Sequence, residues 1–207
     1  MLVAGLTGNY GMGKSSVSAM FRRLGAETIN SDEIVAGILK EKKIIARIGR
    51  ILGREVVNED GSLNKQAVAG KVFSNSTARK EIEALLHPSV LERVDISIRE
   101  IRDKKDIVIV EVPLLFEGRF QSRFDRTVTV HASRKTVLAR LSREGISRKD
   151  ALSRLRAQMD IRHKKRLADY CIDNNGTRAQ TAAQVKKTYQ LLIEENRKRI
   201  STGQHRS

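Results

Sequence analysis

Residues 5–16 read GLTGNYGMGKSS, with four glycines (Gly5, Gly8, Gly11, Gly13) inside nine residues and a lysine with two hydroxyls directly after them. Glycine loses more backbone entropy on folding than any other residue, so this density would weaken a packed element. Main chain is wanted here more than side chains. The run Gly8-Asn9-Tyr10-Gly11-Met12-Gly13-Lys14-Ser15 fits G-x-x-x-x-G-K-[ST], the Walker A phosphate loop. Its flanks agree: the apolar run LVAGL before it suits a buried strand, and KSSVSAMFRRLG after it suits a helix stopped by Gly25. In such a loop, backbone N–H groups surround the β- and γ-phosphates. Gly11 and Gly13 permit the turn, Lys14 bridges the phosphates, Ser15 ligates Mg²⁺ through its hydroxyl, and the helix adds its positive end. The bland alternative is a glycine-rich strand-to-helix turn with no ligand; pattern and context together favour a nucleoside triphosphate.

Working outward, AETINSD is a second short strand, and residues 33 to about 104 are mostly helical, broken at NEDGS (58–62) and SNST (74–77). Pro88 should break or kink the apolar repeat running from Ile82 to Ile101. DIVIVEVPLLFE (106–117) is the strongest strand, Ile107 to Val112, stopped by Pro113; RTVTVHA (126–132) is another, followed by a basic helix from Arg134. YCIDNNG (170–176) is a last short strand, expected to bury Cys171. A helix from Arg178 places Ala182, Val185, Tyr189 and Leu192 on one face, and STGQHRS reads as a frayed tail. Short apolar strands separated by helices predict an α/β fold, a P-loop NTPase-type parallel sheet flanked by helices.

The 207 residues suit one elaborated domain, which at that size buries roughly 70% of its unfolded surface. A core of about 1–32, 105–137 and 169–200 is expected, interrupted by helical insertions at about 33–104 and 138–168. One cysteine excludes an internal disulfide and fits a reducing compartment. No secretory signal or membrane-span pattern is present, so a cytoplasmic protein is expected, with no membrane partner. The net charge of +16 points to polyanionic partners, either nucleic acid or phosphorylated small molecules. Residues 134–166 hold twelve Lys or Arg against three acids, concentrating the charge in one segment. Aromatic content of 4% with no tryptophan leaves few stacking platforms, which argues against nucleic acid.

The loop alone does not separate hydrolysis from transfer. Asp32, in NSD after the second strand, either accepts a proton from an attacking hydroxyl, or holds Mg²⁺ through water, or caps the next helix together with Asn30 and Glu33. With these residues in view, the chain resembles the dephospho-coenzyme A kinases over nearly its whole length. The marks are GLTGNYGMGKSS, NSD, LLHP (85–88), VPLLFE (112–117) and RLADYCIDNNG (166–176).

The resemblance implies transfer of the ATP γ-phosphoryl to the ribose 3′-hydroxyl of dephospho-coenzyme A. It implies Asp32 as catalytic base and Gly11, Met12, Gly13, Lys14, Ser15 and Ser16 as the ATP-phosphate segment. It implies Arg140, at the start of a lid, as the arginine that reaches the moving phosphoryl group. The sequence departs from the family at Asn30, where an aspartate is frequent, and at Asn9, Tyr10 and Met12, which are variable positions of the general loop pattern. Glu111 stands where the family often has aspartate, and is either a strand-end acid near Mg²⁺ or a solvated strand residue.

A kinase must exclude water, so the basic segment is expected to act as a lid over bound phosphates. His87 either contacts the acceptor or orients the helix before Pro88. Pro113, Leu114 and Leu115 either wall the acceptor or pack the core. The rivals are a P-loop kinase for another small hydroxyl acceptor, separable by an acceptor panel, and a nucleic-acid-stimulated NTPase, separable by a salt-dependent gel shift.

Overall fold

The computed structural model describes residues 1–101 and 105–202. The end of the expected helical run, 102–104, and the tail from 203 onward lie outside the described residues. In chain order the elements are β1 (Leu2–Thr7), α1 (Lys14–Arg23), β2 (Glu27–Asn30), α2 (Ser31–Ile38), α3 (Lys42–Leu52), α4 (Lys65–Ser74) and α5 (Ser76–Ile101). There follow β3 (Ile107–Glu111), β4 (Arg126–His131), α6 (Arg134–Arg143), α7 (Arg148–Arg156), α8 (Ile161–Leu167), β5 (Tyr170–Asp173) and α9 (Arg178–Ser201). The chain divides into two compact units, one of Met1–Asn30 with the chain from Glu100 onward, the other Ser31–Arg99.

The first unit is a five-stranded sheet in the order β2-β3-β1-β4-β5, with every pairing parallel. β1 and β3 are buried along their full length, as continuous apolar runs in a covered parallel sheet should be. Leu2, Leu6, Ile107 and Val128 of the sheet pack with Val17 and Phe21 of α1 and Val185 and Leu192 of α9. Thr177 and Gln180 form a reciprocal capping box that starts α9. β1 and β3 are parallel neighbours in the sheet, so the turn after β1 and the end of β3 lie side by side. Open α/β sheets hold ligands at these carboxyl ends of the strands.

Cys171 corrects an expectation: it is exposed. β5 is an edge strand, and the period-two alternation turns Ile172 into the core and Cys171 outward.

In the second unit, Ile44, Ile48 and Leu52 of α3 pack with Val56 and with Ile82 and Leu85 of α5. A turn at 58–62 is held by Asp60, which accepts from Ser62 N, and closes the short bridge of Val57 with Leu63. The expected break at 74–77 shrinks to Asn75, whose side chain accepts from Thr77 N and Ala78 N. Pro88 does not end the helix; α5 runs through it. A proline removes one hydrogen bond, and buried Ile82 and Leu85 before it and Val94 after it anchor both halves.

Candidate active site

Backbone geometry shapes the turn after β1. Gly8 and Gly13 have φ of +149° and +87°. A Cβ on Gly8 would stand 2.4 Å from Val130 O, and one on Gly13 2.2 Å from Asn174 Nδ2, so neither position admits a side chain. Gly11 lies against Val137 and Leu141 of α6. Met12 is buried in the small cluster of Ala132, Val137, Leu141 and Ala151, and its carbonyl accepts from Asn174 Nδ2 at 2.9 Å. Lys14 opens α1, and its ammonium donates to Gly8 O at 3.0 Å and Asn9 O at 3.5 Å. Ser15 and Ser16 follow, both exposed in the helix's first turn.

The sheet brings Glu111 to this loop. Leu6 is in register with Glu111, and the Ser15 hydroxyl donates to Glu111 Oε2 at 3.4 Å. Among the described residues no group of three or more His, Cys, Asp or Glu is placed to hold a metal. What stands here is a different donor set, one hydroxyl and one carboxylate. Such hard oxygens suit Mg²⁺, which takes one or two protein oxygens and completes its shell with phosphate and water.

Arg140 reaches the loop from α6. Its Nη2 donates to Asn174 O at 2.7 Å. Its Nη1 is buried with no hydrogen-bond partner among the described residues, 3.7 Å from where a Cβ on Gly13 would lie. A buried cationic donor left unpaired is costly, and an arriving phosphate oxygen would relieve that cost. Asn9 Oδ1 is a second buried polar atom without a partner at the same loop.

Pro113 O accepts from Thr7 Oγ1 at 3.1 Å and from Lys164 Nζ at 2.9 Å. Leu115 is wholly buried beside Gly5, and Leu114 is exposed. Burial pulls the Lys164 ammonium below its ordinary range, against the hydrogen bond and charge of Glu117. Asp32 and His87 belong to the other unit. Asp32 is exposed in the first turn of α2, two residues past Asn30, and His87 is half-buried within α5.

Four participants were not singled out from sequence: Asn174, Thr181, Met159 and Gln158. Asn174 joins the loop, Arg140 and Thr181, whose hydroxyl donates to Asn174 Oδ1 at 3.0 Å. Asn9 Nδ2 donates to Met159 O at 3.0 Å, and Tyr10 N donates to Gln158 Oε1 at 2.8 Å. The RLADYCIDNNG segment carried a signal for Asn174; Gln158 had none beyond its place in the basic segment.

The family model for dephospho-CoA kinase matches residues 2–180. The chain belongs to the dephospho-CoA kinase family. Within that family, the dephospho-CoA kinase of Syntrophotalea carbinolica is 38% identical over 196 residues, 93% of each chain. Among solved structures, TT1252 from Thermus thermophilus superposes with a TM-score of 0.83 at 30% identity, covering 92% of this chain and 96% of that one. The dephospho-CoA kinase from Campylobacter jejuni shares the fold, with a TM-score of 0.68 at 24% identity over 94% of this chain and 98% of its own. Among the described residues of this family member, no helix is long and apolar enough to cross a membrane.

Proposed function

We propose that this chain transfers the γ-phosphoryl group of ATP to the ribose 3′-hydroxyl of dephospho-coenzyme A, giving coenzyme A and ADP in the last step of coenzyme A synthesis. Family membership over residues 2–180 carries the choice of substrates. The unpaired Nη1 of Arg140 beside Gly13 supports a phosphate in the loop.

Backbone amides of the segment Gly11 to Ser16 grip the phosphates, and Lys14 bridges the β- and γ-groups. Ser15 and Glu111 would hold Mg²⁺, which neutralises phosphate charge when bound. Asp32 takes the proton of the 3′-hydroxyl. It stands two residues beyond Asn30, which is in register with Glu111 at the carboxyl end of the sheet. The new bond forms between the 3′-oxygen and the γ-phosphorus, and the bond from that phosphorus to the β,γ-bridging oxygen breaks, releasing ADP. Arg140 stabilises the charge spread over the moving group. His87, Pro113, Leu114 and Leu115 are assigned to the acceptor side, with the insertion 33–104, and the segment 138–168 to a lid that keeps water out. A cytoplasmic setting suits the exposed, unpaired thiol of Cys171.

The test is purified protein with Mg²⁺, ATP and dephospho-coenzyme A, with mass detection of product. One added phosphate on the ribose 3′-position is expected. ATP consumption without that product, or faster transfer to another hydroxyl acceptor, would overturn the assignment.

A further inference from the structure

The connection between α7 and α8, residues 157–160, is pinned by groups other than its own glutamine. Asn9 Nδ2 donates to Met159 O, and Met159 N donates to Glu117 Oε1 at 3.0 Å. The same carboxylate oxygen meets the buried Lys164 ammonium at 2.9 Å. The Arg154 guanidinium lies 4.8 Å from the centroid of the Tyr10 ring. Gln158 stands between these anchors, with its Oε1 accepting from Tyr10 N at 2.8 Å.

A glutamine amide has one oxygen acceptor and two N–H donors. Tyr10 N–H can only donate, so its partner is the oxygen, and this fixes which way the amide faces. The N–H donors of Gln158 have no partner among the described residues. They stand at a particular end of the cradle. The Lys14 ammonium rests on Gly8 O and Asn9 O, and the lysine of a Walker loop serves the β- and γ-phosphates. Gly8 to Tyr10 therefore lies at the end of the cradle that Lys14 serves, the β/γ-phosphate end, and Gln158 is bonded to it.

We propose that Gln158 is a further catalytic residue, whose side-chain N–H donors grip the γ-phosphoryl group while its oxygen is held by Tyr10 N. The proposal rests on the kinase assignment above. Phosphoryl transfer spreads negative charge over the equatorial oxygens, and donors fixed in advance stabilise that charge without reorganisation.

Calorimetric titration of wild type, Gln158→Ala and Gln158→Glu with Mg²⁺-ADP and with the Mg²⁺ complex of β,γ-imido-ATP tests this directly. In Gln158→Ala the imido analogue should bind roughly tenfold more weakly or worse, with ADP binding changed by less than about twofold. Turnover with dephospho-coenzyme A should fall while the acceptor's KM holds. Gln158→Glu keeps an oxygen for Tyr10 N–H but loses the donors and sets a carboxylate beside the phosphates, so it should be worse than Gln158→Ala. Equal weakening of ADP and analogue in Gln158→Ala, or wild-type behaviour of Gln158→Glu, would reduce Gln158 to an anchor and sink the proposal. If wild type neither binds the analogue nor phosphorylates dephospho-coenzyme A, the kinase assignment fails first and this inference with it. The two failures are thus told apart.

Discussion

Asn174 Nδ2 donates to Met12 O at 2.9 Å, a hydrogen bond closed across 162 residues of chain. Both residues are buried, at 9% and 4% exposure. Asn174 also accepts from the Thr181 hydroxyl at its side chain and from Arg140 at its carbonyl. One residue thus ties the phosphate loop to the arginine above it and to α9.

Asn174→Leu keeps the volume but removes both amide bonds, leaving Met12 O buried without a donor. The expected loss is about 1–3 kcal/mol, read from urea unfolding. Because Met12 belongs to the cradle, KM for ATP should rise with little change in KM for the acceptor. A variant with unchanged stability and unchanged KM would show that the loop holds its shape unaided.

Gly8→Ala should be among the most damaging single-methyl changes in the chain. The new Cβ would meet a main-chain oxygen, Val130 O, at 2.4 Å, on a backbone at φ +149°. Val130 is fully buried and paired with Ile172, so β4 has no room to retreat. Strain alone costs about 1–3 kcal/mol, before the clash is counted. Gly70→Ala is the matching control: it lies within α4 with nothing within 4 Å of the added Cβ, and should stabilise by about 0.5–1 kcal/mol. Thermal or urea midpoints that move the same way for both variants would contradict this account.

How far the sequence could be read follows from which interactions leave a periodic trace. β1 and β3 were legible as apolar runs, β4 as alternating threonine and valine, and the phosphate loop as a local pattern of glycines and lysine. Cys171 was misplaced because four residues of edge strand look like four of a central one until the sheet order is known. Pro88 was weighed by its local cost, whereas packing on either side carries α5 through it. The pairings of Arg140 with Asn174 and of Tyr10 with Gln158 join residues 34 and 148 positions apart. No spacing rule reaches that far, so the candidate site was legible in its loop and not in its walls.

His131 should make stability sensitive to mild acid. It ends β4 in register with Asp173, with its Nδ1 4.0 Å from the carboxylate. Burial first, and then the Lys165 ammonium, hold its pKa below the ordinary value, while Asp173 pulls the other way. The ordinary value, about 6.5, applies to the unfolded chain. Between the folded pKa and that value the unfolded chain binds more protons, so stability falls as pH drops through the window and is intact above it. From about pH 7.5 to about pH 5.5 the wild-type thermal midpoint should fall further than that of His131→Gln. Equal falls would assign the acid sensitivity to other groups.

Lys164 and Glu117 should behave as a coupled pair. The lysine side chain has no exposure, and its ammonium meets Glu117 Oε1 and Pro113 O, both at 2.9 Å. Lys164→Met strands the Glu117 carboxylate, which keeps 21% exposure and the Met159 N–H. Breaking a buried pair from one side costs about 3–5 kcal/mol, and the residual solvent places this case toward the lower end. Glu117→Gln strands the ammonium instead, with only neutral acceptors left to it. In the double variant neither charge remains to be stranded, and an ion pair replaced as a unit is often close to neutral. Urea unfolding of the four proteins should therefore give a double variant more stable than the sum of the single losses by about 1 kcal/mol or more. Additive losses would mean that each residue packs independently and that the ion pair does not hold the α7–α8 connection in place.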